Sequence, residues 1–194
     1  MIAALPAILL EMGIIAEISK LPFPAILISL LNIFIAVALV EEFLKYLVVR
    51  GKVLKSPELD EPIDVLLYMV IAALGFAASE NILILFSLGP EFLFGETLSV
   101  TAFRFLGATF LHALSSGLLG YFLALSFFEM KNQGKFFILG IAIASLLHGF
   151  YNFAILELEG ILAFLIPLLI LIGLAGFLAF SLRRLKKIKS ICKL

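Results

Sequence analysis

The sequence is built from apolar runs long enough to cross a lipid bilayer, and several of them carry ionisable residues in their interior. Between residues 161 and 182 the chain reads ILAFLIPLLILIGLAGFLAFSL without a single charge. That exceeds the roughly 20 residues a helix needs to traverse the hydrocarbon core. Comparable runs near 2–19, 24–49, 63–88, 97–128 and 136–156 bring the expected number of spans to about six. With 63% of its residues hydrophobic and 14% charged, such a chain is an integral membrane protein. The weak alternation of a membrane β-barrel is absent. The expected fold is therefore all-α: a polytopic helical bundle, one membrane domain over 1–194, in the cell membrane as a multi-pass protein.

The charges outside the runs predict its orientation. Basic residues fall in alternate connections: Arg50, Lys52 and Lys55, then Lys131 and Lys135, then the tail RRLKKIKSICK from about Arg183. The connections GPEFLFGE and LELEG have none. By the positive-inside rule both termini are expected in the cytoplasm, with the tail against the anionic inner leaflet. Nucleic acid is not an expected partner; the lipid bilayer is. The N-terminal run lacks a basic n-region and contains Glu11, so it reads as a retained helix and not a cleaved signal. The single cysteine, Cys192, allows no internal disulfide. Nothing in the sequence fixes an oligomeric state.

Glu41, Glu42, Lys45, Glu80, Arg104, His112 and His148 all lie inside expected spans. An ionisable group at mid-bilayer costs roughly 3 kcal/mol on insertion scales, so these groups must face one another or water inside the bundle. Helical spacing supports that, because residues three and four apart share a face. Lys45 is one turn from both Glu41 and Glu42. His148 and Asn152 in HGFYN form a second pair. Arg104, Ala108 and His112 form a row continued by Ser115 and Ser116, and Glu80 with Asn81 comes from the helix between. One buried pair is as often structural glue as a site, but four polar stripes are too many for glue alone. Glu11 and Glu17 lack a patterned partner and read as interfacial or pore-edge residues.

This set suits peptide hydrolysis. A carboxylate in apolar surroundings beside a second carboxylate can act as a base toward water, the role expected of the Glu41–Glu42 pair, with Glu41 the one touching water. A neutral histidine or an asparagine amide can donate to the developing oxyanion, the role expected of His148 and Asn152. Lys45 is a partner that keeps one carboxylate ionised, and Asn81 and Arg104 are supporting residues. No Gly-x-Ser-x-Gly frames Ser115, Ser116 or Ser145. No intramembrane aspartate pair is present either.

In EEFLK (Glu41, Glu42, Lys45), FAASEN (Phe76, Glu80, Asn81), the helix bearing His112, and HGFYN (His148, Asn152), the chain resembles the PrsW family of intramembrane proteases. That family is grouped with CAAX-processing prenyl endopeptidases and bacteriocin-processing membrane proteins. The prenyl endopeptidase branch typically carries Glu-Glu-x-x-x-Arg and Phe-x-x-x-His. Here Lys45 stands one position earlier and Glu80 stands where that histidine would be, which points to the PrsW side. The resemblance implies a membrane-anchored protein or peptide substrate, such as an anti-sigma factor. It also implies metalloprotease chemistry, in which Glu41 or Glu42, Glu80, His112 and His148 could ligate zinc, although no His-Glu-x-x-His signature is present. No cofactor and a divalent zinc ion both stay open, with a slight lean to metal-free glutamate catalysis because a Glu/His/Asn set already supplies a base and oxyanion donors.

The competing classes are a proton- or ion-coupled transporter and a non-catalytic substrate-binding adaptor. The repeated halves and broken helices usual in transporters are not evident. Counting helical rise from the span starts leaves the site residues about 15 Å apart in depth. They can meet only if helices protrude or shift, and the meeting point is expected in the cytoplasmic half.

Overall fold

The computed structural model describes residues 3–56, 59–88, 96–128 and 133–188, without the side chains of 87–88, 96–101, 103–104 and 128. Lys131, Cys192 and the Arg104 side chain lie outside the described residues. Among the described residues there are helices and no strands: α1 Ala4–Ile18, α2 Ala25–Lys52, α3 Pro62–Leu88, α4 Glu96–Phe128, α5 Gln133–Glu157 and α6 Leu162–Leu185.

Helices α2 to α6 are long and apolar enough to cross a membrane, so this is a multi-pass membrane protein. The first helix differs from expectation. Its 15 residues reach about 22 Å, short of the ~30 Å hydrocarbon core.

The helix ends have local chemical causes. Pro24 precedes α2, and Pro62 opens α3 where its missing N–H costs nothing. Asp64 reaches back to accept the Glu61 backbone N–H at 3.2 Å, closing the α3 N-terminus as the third residue of a capping box does. Between α5 and α6 the chain turns at Gly160, whose φ of 61° favours glycine. Pro167 lies inside α6 without ending it, which is tolerated in membrane helices where neighbouring groups re-satisfy the backbone.

Helix α4 is the axis of the bundle: its candidate span is 72% buried, against 11% for α6. α3 and α5 pack on either side of it, and α2 lies against α5. The α3–α4 contact depends on Gly120, where an added Cβ would lie 2.8 Å from the Leu66 Cα and 3.0 Å from the Met69 Cβ. Since the Leu66 backbone cannot yield cheaply, Gly120→Ala is expected to destabilise the fold by about 1–3 kcal/mol. A lowered midpoint of thermal unfolding in detergent checks this.

One irregularity bears on the site. Asn32–Leu39 of α2 is π-helical and ends immediately before Val40 and Glu41. Wider turns of this kind are frequent at functional sites, where they re-aim the side chains of the next turn. Phe34 of this segment seats its ring on Gly149, the residue after His148, with an added Cβ there only 2.4 Å from Phe34 Cδ1. The backbone of α5 thus approaches α2 where each carries site residues.

Candidate active site

Glu41, Glu42 and Lys45 are all buried although they lie on the same helix. Glu42 is the most heavily bonded. Its Oε1 accepts from the Lys45 ammonium at 3.0 Å and from the Ser115 hydroxyl at 3.0 Å. Its Oε2 accepts from Ser116 at 2.7 Å. His148 Nδ1 lies 3.0 Å from Glu42 Oε1. Glu42 does not line the neighbouring cavity, whereas Glu41 does.

Lys45 also lies 3.2 Å from Glu41 Oε2 and 2.7 Å from His112 Nδ1. Its ammonium packs 4.5 Å from the centre of the Phe76 ring, a cation–π contact. His112 and His148 meet edge to face with ring centres 5.1 Å apart. Glu41 Oε2 faces both, at 3.5 Å from His112 Nδ1 and 3.8 Å from His148 Nε2. Glu80 closes the group, its Oε2 2.8 Å from His112 Nε2, though not aligned as a hydrogen bond.

These partners fix the tautomers. An ionised carboxylate only accepts, so His148 carries a hydrogen on Nδ1 toward Glu42, and when the ring is neutral its lone pair is on Nε2, near Glu41. An ammonium only donates, so His112 Nδ1 accepts from Lys45 and its hydrogen sits on Nε2, toward Glu80. In that neutral form the Nε2 of His148 accepts a hydrogen bond, and in the doubly protonated form it donates one.

The ring of polar groups opens into a cavity of ≈ 190 Å³ bounded by α2, α3, α4 and α5, whose lining includes Glu41, Glu80, Asn81, His112, His148 and Asn152. Asn81 is oriented by donating to Thr109 Oγ1 at 3.1 Å. The site lies closer to Lys52 on α2 but closer to Leu88 on α3 and to Glu157 on α5, and near the midpoint of α4. The groups therefore meet around the middle of the bundle and not in the half carrying the basic connections. The acidic Asp60 and Glu61 precede α3, and the 33-residue α4 outruns a bilayer, so both helices can shift along the normal as the meeting requires.

The sequence profile described as "PrsW family intramembrane metalloprotease" matches residues 1–179. The chain belongs to the PrsW family of intramembrane proteases. It is 30% identical over 159 residues to Protease PrsW of Bacillus subtilis (strain 168), covering 81% of this chain and 67% of that protein. It is 32% identical over 126 residues to Protease PrsW of Geobacillus kaustophilus (strain HTA426), covering 65% and 52%. A third Protease PrsW, from Oceanobacillus iheyensis, is 31% identical over 157 residues, covering 79% and 66%. The chain thus spans between about half and two thirds of the length of these relatives. No solved structure matches it.

The family description raises the question of a metal. Glu41, His112 and His148 each offer a ligand atom, all within 4.8 Å of one another. His148 fits well, because a carboxylate on the far ring nitrogen is the usual support of a metal-binding histidine. His112 fits once Lys45 gives up its contact with Nδ1, since in the arrangement observed neither ring nitrogen has a free lone pair.

Other expectations are sharpened or revised. Glu17 pairs with Lys20 at an exposed position, as an interfacial residue should. Of the two readings of Glu11, pore-edge or interfacial, its burial favours the first. Its Oε1 is buried without a hydrogen-bond partner, within electrostatic range of Glu41, Glu80 and Lys45. Sequence reasoning missed Ser115 and Ser116 as the anchors of Glu42; their one-turn spacing from His112 was the available signal. It also missed Thr109, three residues before His112, and the π-helical segment, whose apolar composition gives no warning.

Proposed function

We propose that this chain hydrolyses a peptide bond of a membrane-anchored protein or peptide, with the attacking water held between the Glu41 carboxylate and His148 Nε2. The observation that carries the reading is the division of labour in the glutamate pair: Glu42 is fully bonded and shut away, while Glu41 faces the cavity beside His148 Nε2. Two acceptors can take both hydrogens of one water and leave its lone pairs toward a carbonyl carbon. Glu41 accepts a proton as the oxygen attacks and returns it to the leaving amide nitrogen. Lys45, 3.2 Å from Glu41 Oε2, favours the ionised base before the attack. Asn152, at the cavity wall, donates its amide N–H to the oxyanion. His112 positions Glu80 and Lys45, with Asn81 and Arg104 in support.

In the metal-dependent form that the family description implies, Glu41, His112 and His148 would hold the ion, Glu80 standing beside His112; the ion would supply Lewis acidity and a more acidic water. The basic connections are assigned to the cytoplasmic face by the positive-inside rule, and both termini lie there if α1 crosses.

The test uses purified protein in lipid discs with tagged single-span substrates. Cleavage is expected, with products identified by mass. If the reaction needs the ion, chelation to below one metal per ten chains abolishes it and zinc restores it; undiminished cleavage after chelation leaves the water to Glu41 and His148 alone. No cleavage of any substrate overturns the reading.

A further inference from the structure

Beyond the polar ring the cavity continues for one more turn along all four helices. Val37 is one turn before Glu41 on α2, Ile84 one turn after Glu80 on α3, and Ala108 one turn before His112 on α4. Ile155 and Leu156 come after Asn152 on α5, and Phe105 completes the wall. All these steps lead toward the same end of the bundle, and every one of these side chains is apolar. The cavity is polar where Glu41, His112 and His148 line it and mostly apolar beyond them, Asn81, Tyr151 and Asn152 being the further lining residues that carry a polar group.

We propose that this apolar chamber is the specificity pocket of the enzyme and takes one bulky apolar side chain, of leucine, isoleucine, methionine or phenylalanine size, from a residue flanking the scissile bond. The inference rests on the hydrolytic reading of the same site and adds to it the class of substrate sequence. A carbonyl carbon over Glu41 and His148 places the neighbouring side chain at the mouth of the chamber, which shares a lining with those two residues. The volume allows no more than one such group: the whole cavity, its polar part included, measures ≈ 190 Å³, and apolar cavities of about 150 Å³ take up benzene. A polar side chain would lose its hydration against six apolar walls, and a glycine or alanine would leave the chamber unfilled. Ala108 sets the depth, since it is the smallest wall residue and stands directly above His112 in the helical row. Phe105 limits the width.

The test uses full-length protein in lipid discs and single-span substrates that differ only at the residues flanking the mapped cut, varied through Gly, Ala, Leu, Phe and Trp. Wild type is expected to favour Leu or Phe over Ala at one flank by roughly 10-fold or more in kcat/KM, the discrimination a hydrophobic pocket gives. Ala108→Leu fills the chamber and shifts the preference toward Ala or Gly by at least about 10-fold. Phe105→Ala widens it and admits Trp. If Ala108→Leu is inert toward every substrate, Phe105→Ala decides. Cleavage with the same flanking preference in wild type and in every active variant overturns the pocket and leaves the hydrolytic reading intact. A wild type that cuts nothing overturns both.

Discussion

Glu41→Gln is expected to reduce cleavage of a single-span substrate about a thousandfold, within the 10²–10⁴ range of a lost general base, while leaving the protein folded. The amide keeps the shape of the carboxylate and an oxygen for Lys45, now 3.2 Å from Glu41 Oε2, but cannot take a proton from water. The substitution faces a cavity, so it disturbs little packing. Cleavage rates in lipid discs, read beside an unchanged unfolding midpoint, check both halves of the expectation. A loss of activity with an equal loss of fold would make Glu41 a structural partner of Lys45 instead.

Glu42→Ala should do the reverse in kind: it should cost the fold as well as the activity. It removes the acceptor shared by Lys45, Ser115, Ser116 and His148 and leaves the fully buried Lys45 ammonium with Glu41 as its only carboxylate neighbour within salt-bridge distance among the described residues. Breaking one member of a buried ionic network typically costs about 3–5 kcal/mol because a charge is left uncompensated. The expected result is a loss of about that size, measured by denaturant or thermal unfolding in detergent. Double replacement of Glu42 and Lys45 by apolar residues should recover part of that stability without activity, since the unpaired charge is then gone too.

The all-α membrane fold was legible because bilayer thickness forces long apolar runs, and α2 to α6 match those runs to within a few residues. The polar stripes were legible because burying an ionisable group without a partner is costly, so Glu41, Glu42, Lys45, Glu80, His112 and His148 had to meet. Depth was harder to read. Helical periodicity says which face a residue takes and nothing about how far α3 or α4 slides along the membrane normal, so the meeting point came out nearer the middle of the bundle. The roles of the two glutamates were also hidden. Ser115 and Ser116 arriving from α4, with His148 from α5, distinguish Glu42 as the anchored one. The contact that orients His148 was hidden for a related reason: its partner Glu42 lies 106 positions away in sequence.

The central claim is that Glu41 from α2, His112 from α4 and His148 from α5 form one hydrolytic centre. Residues that act as a unit show grossly non-additive losses, since removing one disables the rest. The decisive measurement is the cleavage rate of one reconstituted single-span substrate by Glu41→Gln, His112→Ala, His148→Ala and the triple variant. A single centre predicts that the triple variant is no slower than the slowest single variant. Losses that multiply across the three, or full activity in any of the singles, would contradict it.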